Sequence, residues 1–170
     1  MWLKYFFDKK ILYCFLFFLM GSIYSILNFE IIQKTDTSIY KLEIFDTPHT
    51  FYNILSNNII VGLLISIGGY FSGGFLVIVI LFWNGFFLSE IILTSIALNI
   101  PHREIIYGTI YHGIIEIFAL LIFGKIGLKG WEFYKRIFYK NKFTLHDLNI
   151  KYLLIPIILL LISAVIESNL

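Results

Sequence analysis

Charged residues are scarce in this sequence. Asp, Glu, Lys and Arg make up only 14% of the 170 residues, whereas 59% are hydrophobic; ordinary soluble domains carry about 25% charged residues. So few charges cannot cover a water-facing surface, which indicates an integral membrane protein. Cysteine is scarcer still, since Cys14 is the single one in the sequence. One cysteine excludes an intrachain disulfide and a metal site built from several cysteines.

Other familiar signatures are also missing. The chain has no internal repeat and no low-complexity tract, and its length leaves no room for a second sizeable domain. The P-loop, the dinucleotide fingerprint, the G-x-S-x-G elbow and the H-E-x-x-H zinc motif are absent. We therefore expect one all-α membrane domain over residues 1–170, with no catalytic residue, no metal, no cofactor and no nucleic-acid partner.

Long apolar runs are what the sequence has in abundance. A helix rises 1.5 Å per residue, so a hydrocarbon core of about 30 Å takes roughly 20 residues to cross. Five runs predict transmembrane helices, at residues 11–27, 53–69, 75–98, 105–124 and 148–167. The second run is the weakest, because it ends in the glycine-rich stretch 68–74, where a tight reversal is expected.

The distribution of positive charge predicts the orientation of these crossings. Ten of the thirteen Lys and Arg residues lie before the first run, between the fourth and the fifth, or at the very start of the fifth. Such residues concentrate on the cytoplasmic side. Five crossings put both regions on that side, so a multi-pass protein of the plasma membrane is expected, with its N-terminus inside and its C-terminus outside. The first run could be a signal peptide, but no small-residue cleavage site follows it cleanly, which favours an uncleaved anchor.

Polar side chains interrupt the apolar runs, and they are the candidate functional residues. Buried charges in hydrocarbon are costly and usually face a protein interior or a wet cavity. The predicted topology puts these residues between the midplane and the outer face, where we expect them to share one pocket: Asn57, Asn58, Asn84, Glu90, His112, Glu116 and Glu167.

Structural roles compete with functional ones for each of these residues. The asparagines are read as interhelical hydrogen-bonding groups, and Glu90 and Glu167 are expected to reach water. His112 and Glu116 are four residues apart and share a helix face, so they either pair with each other or form part of a site. With Glu90 or Glu167 as a third ligand they could hold a metal, which leaves an intramembrane metal-dependent hydrolase as a distant alternative.

Glycines mark where helices are expected to approach one another closely. Gly85, Gly108 and Gly113 lie beside the polar residues, where small side chains let a neighbouring helix come near. Gly69 and Gly73 have the spacing of a helix-dimer motif, although a tight reversal explains them equally well. A homo-oligomer therefore stays open.

The segment 127–142 is both basic and aromatic. This composition is typical of a helix on the inner leaflet that is drawn to anionic lipid, and equally of a docking surface for a cytoplasmic protein. The residues assigned to this membrane or partner surface are Lys129, Trp131, Lys135, Arg136 and Lys140.

The order of four short motifs resembles a known family. The motifs are Asn57-Asn58 before the glycine-rich stretch, Asn84-Gly85, His112-Gly113-Ile114-Ile115-Glu116, and Ala164-Val165-Ile166-Glu167. From about residue 51 to residue 167 this pattern resembles the stage II sporulation protein M family. The resemblance implies a polytopic helical membrane protein without an activity of its own, which gathers cell-wall-degrading proteins at a membrane.

Two functions follow as expectations. The first is a non-enzymatic membrane scaffold that recruits other membrane or extracytoplasmic proteins through its outer face. The alternative is a membrane subunit of a peptide or bacteriocin export or immunity system, in which the basic segment docks an ABC-type ATPase. The resemblance implies this alternative too, because some members of the family are encoded beside such transport genes.

Overall fold

The computed structural model describes residues 8–33, 51–139 and 150–168, and all regular structure in these ranges is helical. Helix α1 spans Lys9–Gln33, α2 spans Phe51–Phe71 and α3 spans Phe75–Ala97. These three are long and apolar enough to cross a bilayer, judged by length and composition. They overlap the first three predicted runs.

The remaining helices complete a bundle. Helix α4 is continuous over residues 102–127 and consists of His102–Ile105, a π-helical turn at Ile106–Ile110, and Tyr111–Gly127. A short helix α5 follows at Lys129–Phe138. A 3-10 turn at Ile150–Leu153 leads into α6, Leu154–Glu167. Helix α4 covers the fourth predicted run, and α6 covers the fifth from Leu154 onward.

The reversal between α2 and α3 is shorter than the glycine-rich stretch suggests. The chain stays helical through a π-helical turn at Leu64–Gly68 and on to Phe71. Only residues 72–74 turn, with Gly73 at φ +66° and Gly74 at φ +96°, values that residues with a Cβ rarely adopt. Gly69 remains helical because it is packed against Gly127 of α4, which holds the α2 backbone in place.

Successive long helices alternate in direction. Asp8 at the start of α1 lies 3.5 Å from Lys125 at the end of α4, measured from Oδ2 to Nζ. At the same end of the bundle, Lys129 lies over the ring of Tyr152, which comes just before α6. We call this the basic end, since it gathers Lys9, Lys10, Lys125, Lys129, Lys135 and Arg136. Residues His112 and Glu167 meet toward the opposite end.

Helix α4 forms the centre of the bundle. Every residue from 119 to 127 is buried, and α4 contacts α1, α2, α3, α5 and α6. The tightest helix pair is α1 with α3, because Gly21 faces the carbonyl of Phe82 and Gly85 faces the carbonyl of Phe18, so closely that a Cβ at either glycine would overlap the oxygen. Such close approach of backbones is how membrane helices gain packing energy.

Candidate functional site

A polar cluster joins three helices toward the end opposite the basic end. Asn58 of α2 donates a hydrogen bond from Nδ2 to Oε1 of Glu116 in α4. Ser163 of α6 donates from Oγ to the carbonyl oxygen of His112 at 3.0 Å. The first bond joins α2 to α4 and the second joins α6 to α4, so this cluster ties α2 and α6 to α4.

An ion pair extends the cluster outward. His112 Nε2 lies 3.8 Å from Oε2 of Glu167, and these side chains are only 10% and 21% exposed. The cluster therefore consists of the Asn58–Glu116 contact between α2 and α4, and of the Ser163–His112 and His112–Glu167 contacts between α6 and α4.

The structure brings four of the seven predicted polar residues together and leaves three apart. Asn57 is exposed, because neighbouring helical positions differ by about 100° in direction. Asn84 donates to the carbonyl of Ile80 in its own helix at 2.7 Å, so it does not bridge helices there. Glu90 is buried on α3, contrary to the expected exposure to water. No described hydrogen bond or ion pair links Glu90 to the cluster, so the expectation of one shared pocket is wrong for these three residues.

The predicted packing glycines also have different surroundings. Gly85 contacts the α1 backbone, as described above, whereas a Cβ on Gly113 would lie 3.9 Å from the nearest Leu88 atom, an ordinary contact. Gly73 is in the reversal, and Gly69 packs inward on Gly127 and Val77. These contacts agree with the alternative of a tight reversal for Gly73, and a homo-oligomer stays a prediction. Gly108 lies in the π-helical turn of α4.

Helix α5 forms the second candidate surface, at the basic end. It is anchored to the bundle, since Tyr134 Oη donates to the carbonyl of Phe71 at 2.5 Å and Lys10 Nζ lies 2.6 Å from Glu132 Oε1. Trp131 is exposed, and the ammonium of Lys135 lies 5.2 Å from the centre of its ring.

The predicted residues of this surface have different surroundings. Arg136 is half-buried and Lys129 packs near Tyr152. Lys140 lies outside the described residues. Trp131 and Phe138 are exposed on α5, whereas Tyr134 is half-buried. Of the predicted surface residues that the structure describes, Trp131 and Lys135 are therefore the exposed ones.

Two contributors to these sites were not recognised in the sequence. Ser163 is four residues before Glu167, so the spacing of the two side chains on one face of α6 could have indicated it. The buried Lys125 and its Asp8 partner join residues 117 positions apart, and no local pattern connects them.

The chemistry of the polar cluster is that of an internal hydrogen-bonded connection. Its donors and acceptors come from three helices and contact each other, and no group of three or more His, Cys, Asp or Glu side chains within residues 8–33, 51–139 and 150–168 is arranged to hold a metal ion. The cluster is well suited to fixing the relative positions of α2, α4 and α6.

An all-helical bundle with three membrane-length apolar helices and ionisable groups paired inside it defines a helical membrane protein. The family model for stage II sporulation protein M matches residues 4–170, so the chain belongs to that family. Searches of curated proteins and of solved structures each found no significant match.

Proposed function

We propose that this protein is a non-enzymatic scaffold of the plasma membrane, which holds other membrane or extracytoplasmic proteins in place. The observation that supports this most is the pairing of polar groups across helices. Glu116 contacts Asn58, and His112 contacts Glu167, so these side chains hold helices together. A scaffold needs a fixed bundle, whereas a catalytic group must be accessible to its substrate.

Five crossings form part of the proposal. The continuous α4 of 26 residues extends about 39 Å, which exceeds a hydrocarbon core of about 30 Å. The 14 residues of α6 give about 21 Å, and the 3-10 turn of four residues before it adds about 8 Å. Both segments therefore have the length of a crossing.

The positive-inside rule supports the orientation. Lys10, Lys125 and Lys135 gather at the basic end, which we place in the cytoplasm. The polar cluster then lies in the outer half of the membrane. The loop between α1 and α2, residues 34–50, which we expect to contribute to recruitment, lies outside the described residues.

Site-specific photocrosslinking in cells tests the scaffold. A photoreactive residue at Asn57 or at Tyr107, both exposed toward the outer end, is expected to capture particular extracytoplasmic or membrane proteins. The same residue at Ile158, an exposed apolar position of α6, is the matched control and should capture lipid. Identical adducts from all three positions would refute recruitment through the outer face.

Helix α5 favours a second candidate, a membrane subunit that works with an ABC-type ATPase. Trp131 and Phe138 are exposed on a helix that is anchored to the bundle, as a docking element requires. Exposed aromatic residues are common centres of protein interfaces. Co-purification of an ATPase that is lost with Trp131→Ala and kept with Tyr52→Ala, an exposed aromatic residue of α2, would favour this candidate over the scaffold.

A further inference from the structure

A groove of about 570 Å³ lies between α1 and α4. It extends from the basic end toward the middle of the bundle, and its walls are apolar except at that end, where Asp8 and Lys9 lie. The residues that form its walls include Ile11, Leu12, Phe15, Ile114, Phe118 and Leu121. Its volume is within the range of about 300–1,000 Å³ that ligand pockets span.

The dimensions of the groove match one leaflet of a bilayer. Residues 8–15 of α1 extend about 10 Å and residues 114–122 of α4 about 12 Å along their axes. Half of a hydrocarbon core is about 15 Å. The groove therefore begins near the membrane surface at the basic end and stops near the midplane, as a single acyl chain does.

The charge at the open end favours an anionic headgroup. Asp8 is already engaged by Lys125 at 3.5 Å, and Lys10 is engaged by Glu132 at 2.6 Å. Lys9 is exposed. Among the described residues at the mouth, Lys9 therefore adds a positive charge beyond the Asp8–Lys125 pair. Phosphate groups of anionic lipids are attracted to lysines at the membrane surface.

We infer that this groove binds one acyl chain of an anionic phospholipid from the leaflet at the basic end, with the lipid phosphate beside Lys9. The length of the groove favours an acyl chain over a transmembrane helix as the occupant. A helix would cross the whole bilayer, whereas the walls of the groove end at Phe15 of α1 and Ile114 of α4, near the midplane.

Native mass spectrometry of the full chain, after reconstitution with phosphatidylglycerol or phosphatidylcholine of identical acyl chains, tests this site. The unmodified protein should retain one phosphatidylglycerol under conditions that remove bulk lipid. Leu12→Trp fills the groove from α1 and should abolish retention. Ile158→Trp adds the same ring at an equally exposed position of α6, outside the groove, and should retain the lipid.

The remaining variants separate the parts of the proposal. Ile114→Trp fills the groove from the opposite wall, so a folding defect of Leu12→Trp alone does not decide the result. Lys9→Gln should reduce the preference for phosphatidylglycerol about fivefold, the effect of one lysine at an anionic surface. Retention that survives both filling variants overturns the site. A preference unchanged by Lys9→Gln overturns the headgroup assignment, and a dimer that Leu12→Trp dissociates identifies a second copy as the occupant.

Discussion

The hydrogen bond between Asn58 and Glu116 gives the sharpest test of the polar cluster, because the chain supplies its own control. Asn58→Ala removes the donor and leaves a partly buried carboxylate oxygen without it. Removing one partner of a buried hydrogen bond costs about 1–3 kcal/mol in soluble proteins. Interhelical bonds in membranes average about 0.6 kcal/mol and reach about 1.7. We therefore expect a loss of about 1–2 kcal/mol in the free energy of unfolding.

The adjacent Asn57 is exposed, so Asn57→Ala should change the free energy by less than about 0.5 kcal/mol. Both variants are compared by reversible unfolding in mixed detergent micelles, with helicity as the signal. A double-mutant cycle with Glu116→Ala then isolates the pair, since contacting residues typically couple by about 0.5–3 kcal/mol. The cost of Asn58→Ala should fall in the Glu116→Ala background.

Two outcomes would refute this reasoning. Equal losses from Asn57→Ala and Asn58→Ala would mean that the cost comes from helix propensity or from lipid contact. If the double-mutant cycle gives no coupling free energy between the two substitutions, Asn58 stabilises the bundle without the Glu116 hydrogen bond.

Other positions give further predictions. Gly85→Ala should lower the free energy of unfolding by about 1–3 kcal/mol through overlap with the α1 backbone, while Gly113→Ala, which has room, should leave it nearly unchanged in the same unfolding assay; equal losses would contradict the packing described for α1 and α3. Gly74→Ala should cost about 1–2 kcal/mol because φ is +96° there, and a melting temperature equal to that of the unmodified protein would contradict this. Lys10→Gln should cost less than about 1 kcal/mol, since its Glu132 partner is half exposed; a larger loss that persists in high salt would show that the contact is better shielded than its exposure indicates.

The helices and their approximate bounds could be predicted from hydropathy alone. The apolar runs around α1, α2 and α3 are long, and the bilayer admits few alternatives to a helix for such segments. The bounds of the reversal between α2 and α3 are predicted less accurately, because Gly68 and Gly69 permit a turn but do not require one. Whether they turn depends on contacts with Gly127, which is distant in sequence.

The polar cluster could be predicted only in part. The spacing of His112 and Glu116 indicated a shared helix face, and the alternation of crossings indicated a common depth. The depth of a residue in the membrane does not determine which way its side chain points around the helix axis, however. Asn57 and Asn84 have suitable depth but face other surroundings, since the rotation of each helix is set by side-chain packing across the bundle.

Helix α2 is held at two points, by α5 near its end and by α4 in its first half. Tyr134 holds the last turn of α2, and Asn58 holds its first half about 20 Å away along the helix axis. A force applied to α5 by any bound protein is therefore transmitted along α2. It either displaces the Asn58 end or is absorbed at Leu64–Gly68, where the wider π-helical turn interrupts the regular hydrogen-bond ladder. Helix α2 thus connects α5 to the polar cluster.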